Sequence, residues 1–548
     1  MQGLQNKNSF ISTFQQSDDS SLDPNNSYDL AIIGSGISCA YTLIHYLSLL
    51  LKKSETAQNK EAIKAIKVAV FDKSGEFWKG IPYGNRSGKQ SLIITPLKEF
   101  LPQPERNLFI DWLKQNNSSV LASLKERAGQ LNSQWLKSYQ KTIEQNRWDE
   151  LFVPRYLFGW YLQNRVKSLL QSASEQNYIQ CESIAADVCD LQKLNRVYQL
   201  ETTNCTSFTA TKVVIAIGSP PNKAAFLRQL ETIERSQSKE DLCCITNMYE
   251  PSQDGNIERI QQHLKNCSYS NTAKQILIIG SNASALETIY SLNNCPEIAE
   301  LIDRYVVISP SGEFPHRITD SPASNTFVPK KLDLLIQQPS FTAKQIYEAV
   351  KEDVKIALTD GETVNGTYGI ISQKVIAALN LLDYEEQRQF VIKYGVKIGK
   401  FQRRAGSDYL NVTDKLIFEG KLQFIKGKFA GTIPLTDKQS GFGFVTPINN
   451  SEIEVFSSPI QVIINCAGFQ NITQSSSPLI DNLIKRGICI PNDSQGGFKI
   501  DENFEASENL YLMGPLVAGN INEKLKVWHA ESCGRIFNLS QNLANILV

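Results

Sequence analysis

A short glycine-containing turn links an apolar strand to an apolar helix near the start of the chain, and a second such turn lies in its middle. Tyr28 to Ile33 (YDLAII) is an apolar run suited to a parallel strand covered on both faces, and GSGISCA and a helix-like segment follow it. The second turn, GSNASA, lies 246 residues further on, counted from Gly34 to Gly280, between QILII and another helix-like segment. A strand, a glycine turn and a helix in this order are typical of a βαβ unit that holds the phosphates of a nucleotide. Two such units predict an α/β fold with parallel sheets.

The composition is that of a folded globular protein and excludes some classes of function. The 548 residues are 41% hydrophobic and 20% charged, which suits about three or four domains. Lys and Arg together number 56, as do Asp and Glu, so the formal net charge is zero. Proteins that bind nucleic acids or anionic membranes usually carry a basic excess. We therefore expect a small-molecule substrate, with no nucleic acid or membrane as partner, and the oligomeric state stays open.

Cysteine and histidine usage predicts a reducing, cytoplasmic location and no metal site. The chain has eleven Cys and four His, no CxxC motif, and a polar opening segment without the apolar stretch of a secretion signal. The missing CxxC argues against a dithiol–disulfide reductase. No His lies near a Cys at the spacing of zinc ligands, which argues against a zinc site.

One apolar stretch, from Leu30 to Leu51, has nearly the length of a membrane span, and His45 is its only ionisable residue. The glycines of the first turn, Gly34 and Gly36, lie inside it. A buried strand followed by a buried helix therefore fits this stretch better than a transmembrane helix.

The first turn has the features of a site for a dinucleotide pyrophosphate. Gly34 permits a tight turn, and Gly36, which has no Cβ, lets the main chain approach a phosphate closely. The helix that follows offers unpaired N–H groups and the positive end of its dipole. Asp72 ends the next strand and can accept a hydrogen bond from a ribose hydroxyl, although it lies 36 residues past Gly36 and not the usual ~20; a polar insert at 53–65 accounts for the excess. The alternative is a strand, turn and helix that bind nothing.

The second turn departs from this pattern in two ways. Asn282 replaces the second glycine, so a side chain crowds the place of the pyrophosphate, and the next strand ends at Ser309 without an acid. A missing acid is compatible with a 2′-phosphorylated ribose, which a carboxylate would repel. The nearest cations after that strand are His316 and Arg317. We expect NAD(P)H here, and a domain that has kept the fold and lost the ligand is the alternative.

Three further apolar strands end in glycine. VVIAIG ends at Gly218, VIINCAG at Gly468 and NLYLMG at Gly514, and a final helix is predicted from Trp528 to Leu547. Each strand end alone is compatible with an ordinary turn. Together they are typical of the carboxyl edge at which open α/β sheets bind ligands.

Several segments carry a resemblance to a known family. They are GSGISCA, FDKSGEFWKGIPYG (71–84), LFVPRYLFGWYL (151–162), ISPSGEFPH (308–316) and FQRRAG (401–406). With these in order, the chain resembles the FAD/NAD(P)-binding family of flavoproteins with two dinucleotide-binding domains, most of whose members are uncharacterised. The flavin N-hydroxylating monooxygenases and the reductases share this general plan. The resemblance extends over nearly the whole chain, from Tyr28 to the C-terminal helix.

The resemblance implies two Rossmann-like dinucleotide-binding domains, the second inserted into the first, plus an α-rich subdomain. The polar composition of the first residues predicts a disordered tail. The expected boundaries are 1–26 for the tail, 27–225 and 455–548 for the two parts of the FAD-binding domain, and 226–454 for the inserted NAD(P)-binding-like domain, with the α-rich subdomain at 328–400.

The resemblance also implies a set of cofactor-binding residues, while no catalytic residue is assigned. The set is Gly34, Ser35, Gly36, Ile37, Ser38, Asp72, Lys73, Tyr83, Arg155, Gly218, Gly280, Ser281, Asn282, Ala283, Ser284, Gly468, Gly514 and Pro515. Arg155 could pair with a flavin phosphate or an anionic substrate, and a surface salt bridge fits it as well. Arg403 and Arg404 could hold a carboxylate or a 2′-phosphate, and a solvated strand end fits them as well.

The function expected from this resemblance is an FAD-dependent oxidoreductase whose flavin is reduced by NADPH or NADH. A monooxygenase acting on a small polar or anionic substrate is the more specific form of that expectation. The alternative is a flavin-binding or nucleotide-sensing protein with a degenerate NAD(P) site and no turnover.

Overall fold

The structure is a computed structural model that describes nine stretches of the chain. They are residues 26–56, 65–126, 129–221, 242–267, 273–319, 324–436, 439–447, 452–468 and 471–548. The tail predicted for residues 1–26 lies almost entirely outside them.

Twenty strands occur in the described residues, numbered in chain order. They are β1 Ser27–Ile33, β2 Ile66–Asp72, β3 Ile179–Ala185, β4 Val188–Leu194, β5 Val197–Thr202, β6 Ser207–Ile215, β7 Cys243–Ile245, β8 Gln275–Ile279, β9 Arg304–Ser309, β10 His316–Arg317, β11 Arg404–Ala405, β12 Leu422–Lys426, β13 Lys428–Pro434, β14 Ser440–Val445, β15 Glu454–Phe456, β16 Val462–Asn465, β17 Glu505–Ser507, β18 Leu510–Leu512, β19 Asn520–Ile521 and β20 Lys526–Val527.

Eighteen α-helices occur in the same residues. They are α1 Ile37–Thr56, α2 Gly80–Tyr83, α3 Leu97–Phe100, α4 Glu105–Gln115, α5 Asn117–Glu126, α6 Gln130–Glu144, α7 Arg155–Glu175, α8 Gln253–Asn266, α9 Ala283–Asn294, α10 Pro296–Ala299, α11 Lys330–Ile336, α12 Ala343–Thr359, α13 Val364–Leu381, α14 Tyr384–Gln389, α15 Gly395–Phe401, α16 Ser407–Phe418, α17 Pro478–Lys485 and α18 Cys533–Leu547. Phe390–Tyr394 forms a π-helical turn between α14 and α15.

The first sheet is built around β1, as the apolar run of that strand predicts. Its strands follow the order β17-β18-β6-β1-β2-β3, and β18, β6, β1, β2 and β3 are parallel. Ile33 is in register with Phe71 on one side and with Ile215 on the other, so the strands end at one level. Strands β2 and β3 lie on one side of β1, whereas β6, which comes later in the chain, lies on its other side. The boundary between β1 and β6 is therefore the topological switch point, where open α/β sheets form a ligand crevice.

The second sheet repeats this plan around β8. Its order is β12-β9-β8-β16-β7, with all strands parallel. Ile279 is in register with Ile308 and with Asn465, so its switch point lies between β8 and β16. The sequence placed Val462–Asn465 in the returning part of the first unit. Because this strand pairs with β8 and β7, the chain returns to the first sheet only after residue 465.

Apolar side chains pack the helices against the strands. The strand side chains Ile32, Val70 and Val214 are fully buried, and each contributes about 1.5–3 kcal/mol through removal from water. Helices α1 and α18 lie side by side on the first sheet, where the rings of Tyr41 and Phe537 meet edge to face at 5.0 Å. Each ring comes four residues after the start of its helix, so the two helices begin at the same level.

Helices α11 to α15 and the π-helical turn fill the stretch predicted to be rich in helices. They have a core of their own, which includes Leu332, Ile346, Ile371 and Phe390. The last helix begins at Cys533, five residues later than predicted, and residues 528–532, between the β19–β20 hairpin and this helix, form neither strand nor helix. No described helix is both long and apolar enough to cross a membrane.

Candidate functional site

The first glycine of the first turn is fixed by its surroundings at the switch point. Gly34 has φ +95° and donates its N–H to the carbonyl of Phe71 at 2.8 Å. A Cβ on Gly34 would lie 2.6 Å from the carbonyl oxygen of Ala216, just beyond β6. Any other residue would combine an unfavourable φ with this clash, so the turn can pass between β2 and β6 only as glycine.

A second segment crosses the first turn at main-chain distance. The N–H of Trp78 donates to the carbonyl of Ser35 at 2.9 Å. Gly80 has φ +63°, and its Cβ would lie 2.8 Å from the Cα of Gly36. Gly80 lies in the segment 71–84 that carries the family resemblance, but its contact with Gly36 is not predictable from that resemblance, because the two glycines are far apart in sequence.

The start of α1 leaves main-chain donors available. No described group accepts a hydrogen bond from the N–H groups of Ile37 or Ser38, which precede the first intrahelical bond. Gly514 approaches the same helix start, since its Cβ would lie 2.4 Å from the hydroxyl of Ser38. Gly514 and Pro515 begin a short 3₁₀ turn directly after β18. Bare main chain, free N–H groups and a helix dipole make this a suitable cradle for a pyrophosphate.

Asp72 lies against the first turn rather than standing apart from it. One carboxylate oxygen accepts from the hydroxyl of Ser35 at 2.6 Å, and the other from the N–H of Ser74 at 2.9 Å. Asp72 is half-buried. These contacts fix its carboxylate at the end of β2, and a hydrogen bond from Asp72 to a ribose stays a prediction.

The second turn repeats the geometry of the first. Gly280 has φ +109° and donates its N–H to the carbonyl of Ile308 at 2.8 Å. A Cβ there would lie 2.5 Å from the carbonyl oxygen of Cys466, just beyond β16. Asn282 caps α9 without a side-chain hydrogen bond, and Ala283 is the first residue of that helix.

The second turn differs in the side chain at the end of its neighbouring strand. Ser281 donates its hydroxyl to that of Ser309 at 3.0 Å, where Ser35 meets Asp72 in the first turn. Lys426, at the end of β12, is in register with Ser309. Its side chain is exposed and has no ion-pair partner among the described residues. Strand β12 was not predicted from the sequence, and neither was the position of this cation.

Two of the predicted strand-end glycines leave open space. Neither Gly218 nor Gly468 has an atom within 4 Å of the place of a Cβ. Each follows the strand that flanks a glycine turn across the switch point. These positions could admit a ligand at both carboxyl edges.

The guanidinium of Arg155 contacts other residues of the protein interior. It forms a two-point ion pair with Glu287, a residue of α9 that is 1% exposed, and its Nε donates to the carbonyl of Leu92 at 2.9 Å. Burial acts to lower the pKa of Arg155, but the Glu287 carboxylate outweighs it and raises that pKa above its usual value. The hydroxyl of Tyr249 donates to the same carboxylate at 2.5 Å. The pair joins α7 to the helix that follows the second turn, and a contact from Arg155 to a cofactor stays a prediction.

Two further predicted residues lie near this edge. Lys73 is exposed and 3.7 Å from a carboxylate oxygen of Glu250. The hydroxyl of Tyr83 lies 3.1 Å from the sulfur of Cys533, the first residue of α18. Burial raises the pKa of Tyr83 well above its usual value and that of Cys533 to about 12, so both groups stay protonated at neutral pH.

Other clefts do not coincide with these turns. One cavity of about 350 Å³ is lined by polar residues that include Arg106 and Asp149, and one of about 270 Å³ lies at the opposite end of the first sheet beside Asp29 and Lys212. No group of three or more His, Cys, Asp or Glu side chains in the described stretches could hold a metal ion.

Comparison with known proteins decides the family of the first unit. The profile described as FAD-NAD(P)-binding matches residues 31–220, which include the first glycine turn, β2, α7 and β6. Residues 31–220 belong to the FAD-NAD(P)-binding family. The cofactors predicted from the sequence, FAD with NADPH or NADH, are confirmed at the level of this family. The free N–H groups at the start of α1 and the bare main chain at Gly36 fit such a ligand.

The chain is also similar to proteins whose function is not described by their names. An uncharacterized protein of Mycobacterium tuberculosis (strain H37Rv) is 29% identical over 527 residues, which is 95% of each chain. An uncharacterized protein of Escherichia coli K12, YdhS, is 25% identical over 190 residues, 34% of this chain and 30% of its own. The solved structure of the lysine monooxygenase NbtG from Nocardia farcinica aligns with 95% of this chain and 99% of its own at 10% identity, with a TM-score of 0.46.

Proposed function

We propose that the protein is an FAD-dependent oxidoreductase that takes electrons from NADPH. The observation that carries the proposal is the repeated geometry of the two glycine turns. Gly34 and Gly280 make the same main-chain hydrogen bond, each at the switch point of a parallel sheet. One chain would then hold two dinucleotides, which is what electron transfer from one dinucleotide to another requires.

The first turn would hold FAD. The main chain from Gly34 to Ser38 would face the pyrophosphate, with the N–H groups of Ile37 and Ser38 as donors. Asp72 would anchor the turn through Ser35 and accept from the adenosine ribose. Bound FAD would supply the redox chemistry, by accepting a hydride from a nicotinamide and passing electrons to a substrate or to oxygen.

The second turn would hold NADPH rather than NADH. Ser309 has a buried hydroxyl, which accepts from Ser281, where an NAD-preferring site has a carboxylate. Gly312 donates its N–H to Ser309 at 3.0 Å, so the loop after β9 folds back over that strand end. Lys426 adds a positive charge without a described ion-pair partner. A serine loop beside a free lysine suits a 2′-phosphate.

The substrate class proposed here is a small polar or anionic molecule, and a monooxygenase is the specific reaction type that we favour. A second candidate is a nucleotide-sensing flavoprotein without turnover, and one observation favours it. Asn282 stands where a second glycine would leave room for a pyrophosphate, so it narrows access to the main chain of the second turn.

Anaerobic stopped-flow mixing tests the proposal. The purified protein should be yellow, and NADPH should bleach the flavin absorption near 450 nm faster than NADH does. A yellow protein that neither nicotinamide reduces would be the sensor and not the oxidoreductase. A colourless protein that binds no added FAD would remove the basis of both candidates.

A further inference from the structure

Helix α9, which follows the second glycine turn, is buried on all its faces. It begins at Ala283 and ends at Asn294. Every residue from Ala285 to Leu292 is buried, and that stretch makes more than two turns of helix. A helix beside a parallel sheet usually turns a polar face to water. On α9 that face is covered by the first unit, residues 31–220, which contacts the helix near its start and at its end.

Near its start, α9 is held by a buried carboxylate. Glu287 lies one helical turn after Ala283 and forms the two-point ion pair with Arg155, the first residue of α7. Tyr249, in the loop after β7, donates to the same carboxylate at 2.5 Å. Burial raises the pKa of Tyr249 well above its usual value, so its hydroxyl keeps the proton that it donates. Three donors therefore fix the direction of one carboxylate.

The guanidinium of Arg155 is fixed in turn by the main chain of the first unit. Its Nε donates to the carbonyl of Leu92 at 2.9 Å. The hydroxyl of Tyr409, on the helix before β12 of the second sheet, donates to that carbonyl at 2.9 Å and accepts from the N–H of Leu92 at 2.6 Å. Tyr409 is 1% exposed. Leu92 thus lies at a second buried contact between the two units.

The end of α9 is held by a different contact. Asn294 is fully buried, and its side-chain oxygen accepts from the N–H of Leu131 at 2.6 Å and from that of Asn132 at 3.2 Å. These N–H groups lie in the first turn of α6, where they have no partner within their own helix. Tyr290 also donates to the side chain of Asn132 at 3.3 Å. Contacts near both ends of α9 oppose its rotation against the first unit.

A series of close contacts leads from Arg155 to the first glycine turn. Gly159 lies one turn further along α7, and a Cβ on it would overlap the carbonyl oxygen of Tyr83, the last residue of α2. Helix α2 begins at Gly80, which meets Gly36 at main-chain distance. Close packing of this kind leaves little room for sliding. The two glycine turns are therefore joined through the interior of the protein.

We propose that Arg155 and Glu287 are positioning residues for hydride transfer between the two dinucleotides. The pair holds α9, and with it the second turn, in one orientation to the first turn, so that flavin reduction needs no rotation of one unit against the other. Neither side chain touches the reacting atoms. The role rests on the proposed function and adds to it a fixed relation between the two sites.

Direction, rather than stability, is what this pair supplies. Apolar residues of similar volume often replace a buried ion pair without loss of stability. They do not reproduce the direction that three hydrogen-bond donors impose on one carboxylate. A misplacement of about 1 Å can slow a reaction by about 100-fold. Stability and the rate of hydride transfer should therefore respond differently when the pair is replaced.

Anaerobic stopped-flow reduction of the full-length, FAD-loaded protein by NADPH measures that rate. Glu287→Gln should lower the limiting rate roughly 10- to 100-fold, while the FAD content and the NADPH concentration for half the limiting rate stay unchanged. The double variant Arg155→Met with Glu287→Leu should regain stability, because no charge is unpaired, and should stay slow. The control Glu150→Gln breaks an exposed pair and should react as the wild type does.

Hydrogen exchange followed by mass spectrometry gives a second readout that needs no turnover. Residues 84–92 of the first unit and residues 283–294 should exchange slowly in the wild type. Glu287→Gln should speed exchange in both segments roughly tenfold or more, because they open together once the pair is lost. Faster exchange in residues 283–294 alone would show that the pair does not join the units, and it would overturn the proposal.

Two kinetic results would also overturn the proposal: a wild-type limiting rate in Glu287→Gln, or recovery of that rate in the double variant. Where Glu287→Gln fails to fold, Arg155→Lys decides, since lysine keeps the charge and loses the two-point geometry; a wild-type rate in that variant contradicts the positioning role. All three results leave the oxidoreductase in place, because the wild-type flavin is still reduced. Wild-type flavin that neither nicotinamide reduces would reject the oxidoreductase and the positioning role together.

Discussion

Asp72 and Ser309 stand at equivalent places in the two sheets, and each accepts a hydrogen bond from the serine that follows the first glycine of a turn. The main chain around them is nearly the same in both units. The difference between a carboxylate and a hydroxyl therefore carries the chemical distinction between the two sites. A carboxylate suits an unmodified ribose, and a hydroxyl leaves room for a phosphate.

That distinction predicts the coenzyme preference. Ser309→Asp should raise the KM for NADPH roughly tenfold or more, because a carboxylate would face the 2′-phosphate, and Lys426→Glu should do the same. The KM for NADH should change little. Steady-state and stopped-flow reduction with both coenzymes measures this, with Lys428→Glu, an exposed lysine two residues further on, as the control. Equal effects of Ser309→Asp on NADPH and NADH would contradict the assignment.

The first turn gives a prediction about FAD itself. Gly36→Val should release the yellow chromophore, because the branched side chain would enter the space beside the N–H groups of Ile37 and Ser38. A Cβ at Gly36 would lie 3.5 Å from the Cα of Gly80, an ordinary contact. Because the γ carbons of valine extend beyond that Cβ, circular dichroism of the variant checks that the fold persists. Absorbance at 450 nm per mole of purified protein measures the loss.

The control for that variant is Gly369→Val, since nothing lies within 4 Å of the place of a Cβ on Gly369. It should keep a full complement of flavin. A Gly36→Val protein with stoichiometric colour would place FAD elsewhere.

The buried pair between Arg155 and Glu287 predicts a coupled effect on stability. Glu287→Gln should lower the free energy of unfolding by roughly 3–5 kcal/mol, because it leaves a buried guanidinium without its counter-charge. The double variant Arg155→Met with Glu287→Leu should be more stable than Glu287→Gln, since no charge is left unpaired. Urea unfolding followed by circular dichroism measures both.

The exposed pair of Arg147 and Glu150 is the matched comparison. Replacing Glu150 with Gln should cost about 0–1 kcal/mol. If Glu287→Gln costs no more than that, the pair does not hold α7 against α9.

The sequence predicts the parts of the fold that local patterns encode. The strands β1, β6, β8 and β16 are short apolar runs that end in or near glycine, and all four form where predicted. Gly34 and Gly280 adopt φ values and make close approaches that only glycine allows. The presence of these glycines in the sequence therefore predicts the position of the two turns.

Contacts between distant segments are not encoded in this way. The partner of Arg155 lies 132 residues away on another helix, and nothing in the local pattern of either residue points to the other. Strand β12, which contains Lys426, mixes polar and apolar residues. Its composition is similar to that of the charged segments around it, so the sequence pattern does not mark it as a strand. The sheet that receives β16 depends on its pairing with β8, which apolar character alone does not specify.

Two histidines predict how stability depends on pH. Burial, and to a smaller extent the charge of nearby arginines, lowers the pKa of His45 and of His529 to about 4. The unfolded chain has its histidine pKa near 6.5, so between about pH 6.5 and 4 it binds protons that the folded protein does not. Stability is therefore complete above about pH 6.5 and falls as the pH decreases to about 4, by up to about 3 kcal/mol for each histidine.

Thermal unfolding between pH 8 and pH 4 measures this loss. His45→Gln should flatten the decline, because the glutamine does not titrate, while its Tm at pH 8 should change far less than its Tm at pH 4.5. A Tm that declines equally in the wild type and in the variant carrying both His45→Gln and His529→Gln would show that other groups control the acid sensitivity.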